Sequence, residues 1–175
     1  MKISVDLIKE LRNQTGSSIA DCKKALQETN GNTQEAAHWL RRRGLEIASR
    51  GQSGASFKEG RIEAYTHFDN KLGAVVEVNC ETDFVARNQD FCQFAKDLAI
   101  HIAASNPLYV KKEEIPKEVL SQEKDVEQFC KSYCLLDQVF VKDPSITIKD
   151  YLGSLISKFG ENIFIRRFTR YRIGE

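Results

Sequence analysis

Over the first forty residues the apolar positions recur every three or four places. Val5, Leu7, Ile8 and Leu11 fall on one helical face, with Ser4 ahead of them as a candidate N-cap and Thr15-Gly16 as the stop. Ile19, Cys22, Leu26 and Thr29 mark a second amphipathic helix, broken by Asn30-Gly31-Asn32. A third helix carries Ala36, Ala37 and Leu40. It is expected to end at Arg41-Arg42-Arg43, with Gly44 as its cap, because cations complement a last turn and glycine closes it. Periodicity then disappears. GQSGASFKEG is rich in Gly and Ser and reads as a linker. Gly51, Gly54 and Lys58 lack the spacing of a phosphate-binding loop, and no strand leads into them.

Beyond the linker the period becomes two. Ile62, Ala64, Thr66 and Phe68 alternate with Arg61, Glu63, Tyr65 and His67, Asp69-Asn70 turns the chain, and Gly73 to Cys80 alternates again. This predicts a β-hairpin. Residues 87–105 predict a helix with Phe91, Phe94, Ala95, Leu98 and Ile102 on one face. A charged helix follows at about 117–133, another at 147–158 ending at Gly160, and a last strand at 162–173 with Ile163, Ile165, Phe168 and Tyr171. The expected fold class is α+β. A three-helix module (1–45) leads through a linker (46–60) to a core (61–175) with a small antiparallel sheet packed by helices.

Composition narrows the function. With 175 residues, 41% hydrophobic and 29% charged, the chain suits a soluble globular protein of one domain, or of one domain and a small module. A formal charge of +1 gives no global basic field of the kind that coats nucleic acid. MKISVDLIKELRNQ has no apolar h-region, so no signal peptide is expected, and no run approaches the length of a membrane span. Five cysteines, an odd number, read as reduced cytosolic thiols.

Catalytic chemistry finds little support. Cys80 and His67 lie on neighbouring predicted strands, yet nothing supplies a third orienting group. Cys130 and Cys134 are spaced i, i+4, which can hold a metal, but no second pair accompanies them. No metal, no cofactor and no enzyme activity are expected. Arg41 to Arg43 and Arg166, Arg167, Arg170 and Arg172 are the basic clusters, and acidic neighbours favour a solvated, ion-paired face over nucleic-acid binding.

One stretch stands apart. VEVNCETDFVARNQDF, residues 76–91, passes from strand to helix, and Asp83-Phe84 sit at the corner. Phe84 either tucks under the helix as its first core residue, with Asp83 as N-cap, or stands exposed. An exposed aromatic on a rigid corner suits a binding hot spot, since it buries a large area at small entropic cost.

The chain resembles the elongation factor Ts family. LRNQTGSSIADCKKALQETNGNTQEAAHWLRRRG is similar to the family's N-terminal signature, and VEVNCETDFVARN is similar to its second, with Thr82-Asp83-Phe84-Val85 intact. HIAASNP, DQVFVKDPSITIKDYL and GENIFIRRF resemble later family segments. The resemblance implies a UBA-like N-terminal module on a dimerisation-type core. It also implies guanine-nucleotide exchange on elongation factor Tu, in the bacterial cytoplasm or an organellar matrix or stroma. Asp83 and Phe84 would insert near the GTPase's bound magnesium, and His101 would press toward its phosphate-binding loop. Leu11, Arg12, Ile19 and Ala20 would dock on the GTPase, although the family often has Met-Met where this chain has Ile19-Ala20. Only one core is present, as in short family members, so a homodimer binding two GTPases is expected. Two rivals remain: a protein-binding module in residues 4–44, and RNA binding through the C-terminal arginines.

Overall fold

The computed structural model describes residues 3–51 and 57–175, with side chains described over 3–46 and 57–175. The chain divides into two compact units. One comprises the N-terminal segment up to Ser56 together with Asp150–Ile163, and the other comprises Phe57–Lys149 with Phe164–Glu175.

The first unit begins with α1 (Val5–Thr15). Ser4 Oγ accepts from Leu7 N–H at 3.2 Å, and Gly16 closes the helix in the left-handed region at φ 69°. Helix α2 (Ile19–Glu28) is capped by Ser18, and Asn30 and Gly31 both take positive φ in the turn that follows. Leu11, Cys22, Ala25, Leu26, Ala36 and Leu40 form the buried cluster.

The third helix differs from expectation. α3 runs Thr33–Gly51, so Arg41 to Arg43 are interior and Gly44 is not a cap. The first part of the expected linker is therefore helical, and residues 52–56 of it lie outside the described residues. Gly44 has a different purpose. A Cβ there would stand 2.4 Å from the carbonyl oxygen of Gly153, and a Cβ on Gly153 would stand 2.7 Å from that of Arg41. Gly153 belongs to α8 (Ile148–Phe159), which meets α3 backbone to backbone. Ser17 Oγ and Ser157 Oγ, 2.8 Å apart, add a polar tie in the same unit. The segment from Asp150 thus belongs with the N-terminal helices, where the sequence placed it in the 61–175 core.

In the second unit β1 (Glu59–Thr66) and β2 (Leu72–Cys80) form the predicted hairpin, with Asn70 at φ 55° in its turn. The register pairs Ile62 with Glu77 and Ala64 with Val75. Strand β5 (Ile163–Arg172) completes a sheet ordered β1-β2-β5 among the described residues. One turn of helix, α4 (Asp83–Ala86), leads into α5 (Gln89–Ser105), which packs across β1 and β2. The expected start of that helix at 87 shifts because Asn88 is its N-cap, accepting from Asp90 N–H at 2.9 Å.

After α5 comes a 3-10 turn (Lys112–Glu114). The expected charged helix is two pieces, α6 (Lys117–Gln122) and α7 (Val126–Tyr133), separated by Glu123-Lys124-Asp125. A second 3-10 turn (Leu135–Asp137) and a small hairpin, β3 (Val139–Phe140) with β4 (Asp143–Thr147), precede α8.

The hairpin's two faces are not alike. Ala74, Val76 and Val78 of β2 are buried on the side of α5, opposite Tyr65, Glu63 and Arg61 of β1. Arg61 is accommodated there by Glu63 Oε2 at 2.7 Å and by Cys92 Sγ of α5 at 3.4 Å. The apolar row Ile62-Ala64, with Val75, takes the other face. Ile62 is 68% exposed.

Candidate partner-binding site

Thr82 begins the corner with extended backbone, and its hydroxyl accepts from Val85 N–H at 3.3 Å. Thr82 is the N-cap, so Asp83 does not fill that role. Asp83 instead meets the Arg87 guanidinium at 3.3 Å across one exposed helical turn. An ion pair that open to solvent adds a few tenths of a kcal/mol at most. Val85 is the core residue of the turn, 2% exposed, and Ala86 is buried beside it. That pins the backbone and leaves Phe84, one position earlier, 75% exposed. Helical geometry sends adjacent side chains about 100° apart, so burying Val85 turns Phe84 outward. The choice that the sequence left open resolves toward exposure.

The first unit repeats the arrangement. Ser18 Oγ accepts from Asp21 N–H at 3.1 Å and donates to the Asp21 carboxylate at 2.7 Å, fixing the first turn of α2. Ile19, directly after the cap, is 59% exposed, and Ala20 and Arg12 are also exposed. Leu11 is not available for docking. It is fully buried among Cys22, Ala25, Leu26, Ala36 and Leu40, where the apolar stripe of α1 sends it.

His101 differs most from expectation. It is 0% exposed in the middle of α5. Its Nε2 lies 3.0 Å from Gln138 Oε1, and its Nδ1 accepts from the backbone N–H of Val141 at 3.3 Å. That pattern fixes a neutral ring with the proton on Nε2, donating to Gln138. Burial lowers its pKa from the ordinary 6.5, opposed by the bond to Gln138. Gln138 in turn donates to Ser132 O at 2.7 Å, and Lys142 Nζ reaches the Asp97 carboxylate at 2.7 Å. A ring so enclosed positions the β3–β4 hairpin against α5 and cannot itself press on a partner's loop in this conformation. The sequence offered no sign of Gln138, which is 37 residues away, or of the backbone bond to Val141.

The other candidates fall away. The Cys80 thiol is buried and donates to Thr82 O at 3.2 Å, while His67 Nδ1 bonds the Tyr65 hydroxyl at 2.9 Å, so each has a separate structural partner. Burial first, then Cys130, Asp137 and Glu113, push the Cys134 thiol up to about 12, which leaves it protonated and a poor nucleophile. The C-terminal arginines are internally matched. Arg167 and Arg166 share Glu77 at 2.7 and 3.6 Å, and Arg170 and Arg172 share Glu175 at 2.7 and 3.5 Å. Little unpaired charge is left on that strand for a phosphate backbone. No helix among the described residues is long and apolar enough to cross a membrane.

The described chain is therefore of the α+β class, with an N-terminal helical group and small antiparallel sheets, and it carries an exposed aromatic, Phe84, on a capped corner. A family model for elongation factor Ts matches residues 4–129, which include that corner and the N-terminal helices. Among relatives, the elongation factor Ts of Alkaliphilus oremlandii is 46% identical over 198 residues, covering all of this chain and 91% of its own length. That of Herpetosiphon aurantiacus is 46% identical, with 99% of each covered, and that of Geobacter sulfurreducens is 43% identical, with 100% of this chain and 91% of the other covered. The chain belongs to the elongation factor Ts family.

Proposed function

We propose that this protein is a guanine-nucleotide exchange factor for elongation factor Tu, acting in the cytoplasm of a bacterium during translation elongation. It makes and breaks no covalent bond. The observation that carries the proposal is Phe84, 75% exposed on a turn whose neighbour Val85 is core and whose cap is Thr82. Membership of the elongation factor Ts family supports the choice of partner.

Exchange is a coupling free energy. A partner that weakens the GTPase's hold on GDP is itself held less tightly when GDP is bound. GDP is gripped through loop amides and a magnesium ion that demands near-octahedral geometry. Phe84, entering beside the elements that position the metal ligands, disturbs that geometry, and Asp83 hydrogen-bonds the displaced segment. Two lost charge-assisted contacts of about 1.5–3 kcal/mol each raise the release rate by orders of magnitude. Arg12, Ile19 and Ala20 supply docking on the GTPase. His101 enters as a positioning residue that holds the β3–β4 hairpin, in place of the direct contact implied by resemblance.

The test is release of fluorescent GDP from elongation factor Tu with wild type and with Phe84→Ala. Acceleration by wild type and its loss in the variant support the wedge. No acceleration by wild type overturns exchange and leaves a binding module without exchange activity.

A second reading concerns assembly and rests on the sheet face that carries Ile62, Ala64 and Val75 away from α5. An apolar row of this kind is what a second copy of the chain would cover, giving a homodimer that presents two Phe84 corners. Light scattering at working concentration that reads a monomer removes this part and leaves the exchange proposal standing.

A further inference from the structure

Cys130, Cys134 and Asp137 are spaced i, i+4 and i+7, and α7 with the 3-10 turn after it brings them together. The two Sγ atoms and a carboxylate oxygen all lie within 4.8 Å of one another. In a tetrahedral zinc site with bonds of about 2.0–2.3 Å, donor atoms stand roughly 3.3–3.8 Å apart. Side-chain adjustment on the order of an ångström therefore closes the set, and the backbone is already fixed. Cys134 N–H donates to Cys130 O at 2.8 Å, and Asp137 N–H donates to Cys134 O at 3.0 Å.

Core filling explains the thiols alone. Cys130 and Cys134 are buried with Ile115, against Tyr109, Val119, Leu120 and Phe129. It does not explain the carboxylate. Asp137 is half-buried beside them, and its side chain has no ion pair or hydrogen bond among the described residues. Two buried thiols with a half-buried carboxylate beside them place two sulfur donors and one oxygen donor where a single cation can bridge them. We propose that Cys130, Cys134 and Asp137 form a binding site for a thiophilic divalent cation, zinc by preference, with a fourth position open to water. Two sulfurs with one oxygen suit zinc and disfavour magnesium or calcium, which take oxygen ligands.

The ion has a structural consequence. Gln138, the next residue, bonds Ser132 O at the end of α7 and the His101 ring in α5. A metal on Asp137 therefore stiffens the joint between α7, α5 and the β3–β4 hairpin.

The experiment titrates Co2+ into the full-length, reduced, metal-stripped protein. The expected result is a single equivalent bound, with a sulfur-to-cobalt charge-transfer band and the absorption of a four-coordinate ion, both removed by Zn2+. Cys130→Ser and Cys134→Ser abolish the band, and Cys92→Ser retains it. Asp137→Asn, nearly isosteric and on a half-buried side chain, keeps the fold by circular dichroism and weakens Co2+ binding roughly tenfold or more. If a Cys variant unfolds, Asp137→Asn decides. No band in excess Co2+, a six-coordinate spectrum, or an unchanged titration in Asp137→Asn overturns the site and returns the cysteines to core filling.

Discussion

Two helix starts in this molecule solve one problem with different materials. At α2, Ser18 caps the turn, and Cys22, Ala25 and Leu26 anchor a helix of 10 residues behind it. At α4, Thr82 caps a single turn of four residues, anchored by Val85 and Ala86 and continued by α5. Each holds an apolar side chain out in solvent just after the cap, Ile19 at one and Phe84 at the other. A cap plus a buried neighbour fixes the direction of the exposed side chain before binding, so little conformational freedom is left to lose on contact. What differs is the payload. Phe84 offers a rigid ring able to enter a partner, whereas Ile19 and Ala20 offer a small apolar patch suited to docking. The lesson is that rigidity of presentation is common to both corners, and that they differ in the side chain presented, a large aromatic ring at one and a smaller aliphatic group at the other.

The strongest break of this comparison is Phe84→Ala. Loss of a hot-spot aromatic of about 2 kcal/mol is expected to slow catalysed GDP release by about 30-fold, measured by stopped-flow fluorescence. Thermal stability should stay within about 0.5 kcal/mol, because the side chain is exposed in the free protein. An unstable variant with normal exchange per folded molecule reverses the assignment. Next comes Gly44→Ala, which tests whether α8 is structurally part of the helical unit. The added methyl meets Gly153 O, and a loss of about 1–3 kcal/mol by urea denaturation is expected. A neutral result rejects the close backbone contact.

Ile19→Ala should raise the dissociation constant for the GTPase by up to about tenfold, with exchange at saturation unchanged. An effect on the saturated rate instead makes the two corners functionally alike. The Thr82→Ala and Ser18→Ala pair refines the comparison, each costing about 1 kcal/mol of cap stability. Only the first is expected to reduce exchange at saturation, because only that cap holds Phe84, the side chain proposed to enter the GTPase.

The smallest effect concerns His101 and pH. Its ring is neutral and buried with a pKa below the ordinary 6.5, so as acid is added the unfolded chain takes the proton first. Stability from this group is full above about pH 6.5 and declines as pH falls from there toward the lower folded value. Urea midpoints between pH 7.5 and 5 measure it, and His101→Gln should flatten that part of the curve. An identical slope in the variant means that other groups carry it.

Much of the fold was legible because local chemistry leaves local marks. Ser4, Gly16, the Asn30-Gly31 turn, Asp69-Asn70 and Gly160 punctuate the chain where the structure does, with Gly16 and Gly160 both at φ 69°. Leu11 could have been removed from the docking set on the same grounds, since it lies on the apolar stripe of α1. The corner at Thr82–Val85 was visible as unusual, but its direction depended on which of two adjacent apolar side chains entered the core. The C-x3-C-x2-D spacing was also present in the sequence, but it gained meaning only when a 3-10 turn placed Asp137 beside the thiols.

By itself the sequence determined the α+β class, the helix and strand periods and the helix boundaries at Ser4, Gly16 and Gly160, since each depends on residues a few places apart. Tertiary structure decided what depends on distant backbone. Gly44 is small because Gly153 crosses it, and His101 is neutral because Gln138 and Val141 enclose it. The apolar row of β1 faces away from α5 because Arg61 finds Glu63 and Cys92 on the inner side. Period two fixes that the faces alternate, but only the packed helix fixes which face is covered.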